Sequence, residues 1–542
     1  MTTPHSTEKF DVAILGTHLA CSVLATVLAR HGLRVVLVDA PGPDEIAGET
    51  TVPYTAEVYF TLARRFDVPE IAGFGLTSLL PEHIRQTSGI KRSLGFLHHT
   101  AGREHDPRQA VQFNVPGEHA EWHPYRPHVD QHGLALARRY GAVLLPHRPS
   151  VADVTLGTDG VTLLLADGTH CRARCVVDGS GSASPLVRRL ELDDPEPRLT
   201  MRSRVLAAHL TGVTPFEDCV DLTRYDTATA FSKGTVSHVF AGGWIQVAHF
   251  DNGTPHNPLA GVVASVDPVR FAELPDDPER AFRTLVARFP TIERCFTGAT
   301  VSGGWQTGRP WQRTVFRTVG DRWLLFDRTA SRNDLFLSRD LTMGAEMVHA
   351  LAPVLIRAAR HDDWSADSLR PVADFQERLI RFNDRLLSAA RVATTDFGLW
   401  NAYSRVWLLW SMLSALSLKG TRNECLTGGS WEALERADTG PRSFAVPRGL
   451  PELLDSVFDL MDDVRRGDLA AVTATERIFG LLRRAPIVPP VYRFADPKAR
   501  YYHFSLDKRI RMLVWSKTIA PAEFRRVITK ENLTNVPPAA VR

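Results

Sequence analysis

The stretch that decides the fold runs from Phe10 to Asp39 and reads FDVAILGTHLACSVLATVLARHGLRVVLVD. Phe10–Leu15 is a short apolar run that ends at Gly16. From Leu19 to Arg30 the apolar residues recur at helical spacing and stop at Gly32, and a second apolar run closes on Asp39. Strand, tight turn, helix and strand within about 30 residues make a parallel βαβ unit with a right-handed crossover. A dinucleotide-binding unit places G-x-G-x-x-G in that turn, so that backbone can approach a pyrophosphate and the helix can pack on the strand. Here the frame reads Gly16-Thr17-His18-Leu19-Ala20-Cys21. The turn glycine is kept, while His18 and Cys21 stand at the other two positions. Asp39 lies about 20 residues on, where an acid binds a ribose hydroxyl.

Moving outward, residues 134–190 read as a helix and strand followed by a three-stranded meander. Its turns fall at Thr158-Asp159-Gly160 and Asp167-Gly168, and it ends in Val176-Val177-Asp178-Gly179-Ser180-Gly181. Residues 200–320 alternate as an antiparallel sheet does. After about residue 342 the pattern turns helical, as in MGAEMVHALAPVLIRAAR (343–360). The expected fold is α/β: a Rossmann-type nucleotide-binding domain (1–200 and 300–360), an antiparallel substrate-side sheet (80–130 and 200–300) and a helical C-terminal region (361–542).

Composition narrows the function. With 542 residues the chain exceeds the roughly 250–300 at which a single core stops growing. Its 64 Lys and Arg nearly balance 61 Asp and Glu, with no basic block, which argues against nucleic acid or an anionic membrane as partner. Six cysteines without paired metal-ligand spacing point to reduced thiols and no metal site, and so to a cytoplasmic protein. The run Val406–Leu418 is shorter than the ~20 residues of a membrane span.

Several short motifs occur in one order. They are Gly48-Glu49-Thr50-Thr51-Val52-Pro53, Gly89-Ile90-Lys91-Arg92-Ser93-Leu94-Gly95-Phe96, and Tyr125-Arg126-Pro127-His128-Val129-Asp130. Val177-Asp178-Gly179-Ser180-Gly181 with Ser184-Pro185, Gly243-Trp244 and Gly320-Asp321-Arg322-Trp323 follow. In these the chain resembles the FAD-dependent halogenases, most closely the branch that chlorinates tetracycline-type aromatic polyketides. The resemblance implies that Lys91 falls on the family's catalytic lysine. It also implies that Gly16, Asp39, Gly48, Glu49, Arg126, Asp178, Gly181 and Asp321 serve the flavin, and that a separate flavin reductase supplies electrons if FAD is used.

Departures from the family pattern gather on the flavin and the halide. His18 and Cys21 replace loop glycines, and Glu45 stands where a basic residue meets the phosphates. The halide turn S-x-G reads Ser338-Arg339-Asp340, adding a carboxylate beside a required anion. The expectation is weakened or lost FAD binding on a scaffold that keeps its substrate cavity. The leading reading is therefore a tailoring enzyme for a bulky polyketide-type substrate, redox-neutral in the manner of a cyclase. A working FAD-dependent halogenase or monooxygenase and a non-catalytic partner protein are the alternatives. Lys91, His123, Tyr125 and His249 are the candidate catalytic groups, with Trp122 and Trp244 against the substrate. Oligomeric state is not legible.

Overall fold

The computed structural model describes residues 9–39, 48–115, 121–145, 150–308, 311–438, 447–503 and 505–520. The opening motif folds as its periodicity dictates. Strand Lys9–Leu15 leads through Gly16 into helix Leu19–Arg30, and strand Val35–Val38 pairs parallel to the first. Strand His170–Asp178 joins the other side of Lys9–Leu15, and Trp323–Leu325 pairs beyond it, both in parallel. The meander hangs from this sheet as the antiparallel hairpin Val151–Gly157 and Gly160–Leu165. Val12, Ala13 and Ile14 are fully buried, as expected of a parallel sheet covered on both faces.

A second sheet runs in the order Thr300–Gly308, Arg204–Thr211, Ala260–Val266, Gly243–His249, Thr235–Phe240, Ser93–His99, Ala110–Asn114 and Tyr501–Tyr502. It departs from the sequence expectation in three ways. Two of its pairings are parallel, Thr235–Phe240 with Ser93–His99 and Tyr501–Tyr502 with Ala110–Asn114, because those strands come from distant parts of the chain. Strand Thr300–Gly308, assigned above to the nucleotide-binding domain, pairs with Arg204–Thr211 instead. Tyr501 and Tyr502, inside the region read as helical, add an edge strand, in keeping with the strand preference of aromatic residues.

Helices Asp340–His361, Ala366–Ala393 and Phe397–Gly428 cover the junction of the two sheets. The last is capped by Asp396, whose carboxylate accepts from Leu399 N at 3.0 Å, and it stops at Gly429 in the left-handed region (φ +67°). Its apolar stretch Val406–Leu418 packs inside the protein. Trp400 and Trp407 meet Phe96 of the second sheet edge to face, and Leu409 and Leu418 are wholly buried. Among the described residues no helix is long and apolar enough to cross a membrane. A separate core on the far face of the second sheet lies beneath helices Pro278–Val286 and Pro290–Phe296.

Candidate active site

The parallel strands end in a row of turns that carries Gly16, Asp39, Gly179 and Asp327. Gly16 adopts φ +106°, and a Cβ there would stand 3.0 Å from Gly179 O, so glycine is required. Thr17 Oγ1 donates to Asp39 at 2.9 Å. The His18 ring reaches across this row, with Nε2 3.0 Å from Gly179 O and 3.2 Å from Cys21 Sγ, and Nδ1 3.8 Å from Asp327. Burial pushes the Cys21 thiol well above its ordinary range. The thiol fits because residue 179 is glycine: a Cβ there would collide with Cys21 Sγ. Asp178, fully buried, is used up inside its own turn by Ser180 and by Ser184 Oγ at 2.7 Å. Gly181 (φ +68°) donates its N–H to Thr329 Oγ1 at 2.7 Å.

Asp321 sits elsewhere. It lies in the turn before strand Trp323–Leu325, at the edge opposite the nucleotide-side row, and accepts from Ala366 N at 2.7 Å. The acid at the row itself is Asp327, which sequence reasoning missed. Burial raises its pKa, with His18 opposing. Glu45 lies outside the described residues.

Each of residues 48–51 contacts a distant part of the chain. Gly48 N donates to Asp340 Oδ2 at 3.0 Å. Glu49 binds His209 Nε2 at 2.8 Å and accepts from Arg126 N at 3.4 Å. Thr50 Oγ1 meets Ser338 Oγ, and Thr51 O accepts from Lys91 Nζ. Burial pulls His209 down, but the Glu49 charge and hydrogen bond outweigh it and leave the imidazole above its ordinary pKa. Tyr125 packs its ring against His209 and Phe250, each at 5.3 Å.

Lys91 is sealed from solvent. Its Nζ lies 3.3 Å from Glu121 Oε2, and neither side chain is more than 1% exposed. Desolvation draws the lysine below its ordinary pKa against the pull of Glu121. The same desolvation pushes Glu121 up to about 7, with Lys91 opposing. Glu121 is a second residue that sequence reasoning missed, because a lone acid before a tryptophan carries no spacing signal.

The other candidates are placed as follows. His123 is buried between Thr235 Oγ1 (2.9 Å) and His249 O (3.3 Å), and desolvation holds it neutral with a pKa near 3. Trp122 donates from Nε1 to Phe74 O at 3.2 Å and packs in the main core. Trp244 and His249 do not converge. Their positions differ in parity along strand Gly243–His249. Trp244 stacks on Phe336 at 4.5 Å in the core nearest the nucleotide-side sheet, and its Nε1 has no hydrogen-bond partner. His249 lines a small cavity on the other side with His238, Phe216 and Cys295.

The turn before helix Asp340–His361 is unusual. Leu337 and Ser338 both adopt positive φ, 61° and 57°. Arg339 turns into the helical region, pairing with Glu346 at 2.9 Å and lying over Trp410. Asp340 turns the other way. Arg328 grips it with Nε–Oδ1 3.2 Å and Nη2–Oδ2 2.6 Å, and Arg126 Nη1 approaches to 3.8 Å while also pairing with Asp130. Burial pushes the Asp340 pKa up, but the two arginines and the Gly48 amide outweigh it and hold the carboxyl below its usual value. A small cleft lined by Trp311, Asp327, Arg328, Arg332 and Asp334 opens beside this cluster.

The row of turns has the form of an FAD cradle, lined by His18, Asp327, Asp340, Arg126 and Arg328. His18 covers the start of the first helix, Asp327 and Asp340 place carboxylates beside it, and both nearby arginines already bind Asp340. No cluster of three or more His, Cys, Asp or Glu side chains that could hold a metal occurs among the described residues.

No protein-family profile matches the chain. Among curated proteins, tetracycline 7-halogenase of Kitasatospora aureofaciens is 30% identical over 535 residues, spanning 97% of this chain and 96% of the relative. Monodechloroaminopyrrolnitrin halogenase PrnC of Pseudomonas fluorescens is 28% identical over 541 residues, spanning 96% and 94%. Halogenase PltM, crystallised with phloroglucinol and FAD, superposes with a TM-score of 0.84 at 25% identity, covering 91% of this chain and 100% of that one. By sequence along almost its whole length and by fold, this chain belongs to the flavin-dependent halogenase family of enzymes.

Proposed function

We propose that this family member is a natural-product tailoring enzyme whose Lys91–Glu121 pair performs proton transfer on a bulky aromatic, polyketide-type substrate. The observation that carries this reading is the sealed 3.3 Å pair itself, with the lysine lowered and the carboxyl raised to about 7. Such a pair takes a proton from one substrate atom and returns it to another, as cyclisation or condensation of a phenolic chain requires. The step is redox-neutral and needs no oxidant. Desolvation raises the carboxyl to about 7 and draws the lysine down from its ordinary value, each toward the condition under which an acid and a base work best. The tetracycline 7-halogenase relationship supports a polycyclic substrate.

The test is turnover of a naphthol- or anthrone-class phenol in deuterated solvent, without flavin, halide or oxygen. The native protein is expected to introduce deuterium or close a ring, and Lys91→Met is expected to lose this by about 10²–10⁴-fold. Turnover that appears only with reduced flavin, oxygen and chloride would sink the reading.

The specific retention of Gly16, Asp39 and a buried Lys91 favours a second reading, FAD-dependent halogenation with a separate flavin reductase. Flavin absorption bands that stay with the protein after FAD is added and the protein is re-purified would decide for it.

A further inference from the structure

We propose that the Asp340 carboxylate is a tethered occupant of an anion site, and that the native chain therefore holds no free inorganic anion there. The site is assembled from four elements. Arg328 supplies two hydrogen bonds, Arg126 a second guanidinium at 3.8 Å, and Gly48 a backbone N–H at 3.0 Å. The first turn of helix Asp340–His361 adds the positive end of its dipole. Two guanidinium groups, a fixed amide and a helix start are what a halide or phosphate recruits. Here the anion is covalently part of the chain.

The fit is built rather than incidental. Gly48 is what lets the carboxylate approach, since a Cβ on residue 48 would lie 2.9 Å from Asp340 Cβ. The strained pair Leu337 and Ser338 turns the chain so that residue 340 faces the arginines, while Arg339 is anchored in the opposite direction by Glu346 and Asn383. The Asp340 side chain is 15% exposed, on the side of the adjoining cleft, so a small ion has a route in once the carboxylate is gone. This inference does not depend on the Lys91–Glu121 reading: it concerns binding of an ion, not turnover.

The experiment titrates bromide and, separately, inorganic phosphate into the full-length native chain, Asp340→Ala and Asp340→Asn, read by calorimetry and by thermal unfolding. Asp340→Ala is expected to bind at least one of the two ions tenfold or more tightly than the native chain. Adding Arg328→Gln to it is expected to remove that gain. The ion that responds identifies the site as halide-sized or phosphate-sized. If Asp340→Ala folds only when an ion is supplied, that rescue is itself the expected result. Asp340→Asn keeps the bulk and the Gly48 contact without the charge, so its melting temperature is expected to rise with the same ion more than that of the native chain. No gain in either variant, or a gain that survives Arg328→Gln, would overturn the proposal.

Discussion

Lys91, fully buried, and Asp340, partly buried, are ions within reach of one tetrapeptide, residues 48–51, but their surroundings treat charge differently. Lys91 faces a carboxyl raised to about 7, and the burial that raises it also draws the lysine below its ordinary value. Asp340 faces two guanidinium groups, which stay protonated at any accessible pH. The first centre is adaptable in charge, the second fixed. A centre that moves protons needs the first arrangement, and a centre that only has to be neutral is served by the second.

The largest expected effect comes from breaking the fixed centre. Asp340→Ala leaves Arg126 and Arg328 facing each other without their shared acid, and should cost about 3–5 kcal/mol of stability in denaturant titrations at low salt. Next, Gly179→Ala overpacks the corner beside Cys21 and should cost about 1–3 kcal/mol. Adding Cys21→Gly should restore most of that loss, which the double-mutant comparison reads directly. At the adaptable centre, Lys91→Met should cost only about 1–2 kcal/mol, because Glu121 can take up a proton and stay neutral. A loss as large as that of Asp340→Ala would break the comparison.

The adaptable centre should also show itself as a pH slope. Glu121 has a folded-state pKa near 7, above its ordinary 4.5, so between these values the folded chain holds a proton that the unfolded chain releases. The native protein should therefore lose stability relative to Glu121→Gln as pH rises from about 4.5 to 7, and the difference should level off above 7. Melting temperatures of the two proteins across that range check the sign.

The parts of this arrangement that sequence disclosed are those with short-range signals. The Gly16 turn, the meander with its two turns and the first helix each rest on periodicity or a glycine within a few residues. The strand parity that separates Trp244 from His249 was also available, since residues an odd number apart on a strand face opposite sides. Asp321 and Asp327 flank the same short strand, and local sequence does not say which end faces the nucleotide-side row; the parallel pairing with His170–Asp178 does. The partnership of Gly48 with Asp340 spans 292 residues, and that of Lys91 with Glu121 depends on strand Gly89–Ile90 pairing with Trp122–His123. Those contacts are set by tertiary packing, which no local pattern encodes.

The tetrapeptide Gly48-Glu49-Thr50-Thr51 also constrains how this scaffold can be recombined. Each of its residues touches a different far segment: residue 340, residues 126 and 209, residue 338, and residue 91. A crossover between this chain and a relative placed between residues 51 and 91 would set the tetrapeptide of one parent against the anion cluster and the lysine of the other. Chimeras that inherit 48–51, Lys91, 121–130, His209 and 328–340 from one parent keep every such partnership, and that set is the smallest unit in which the site can be exchanged.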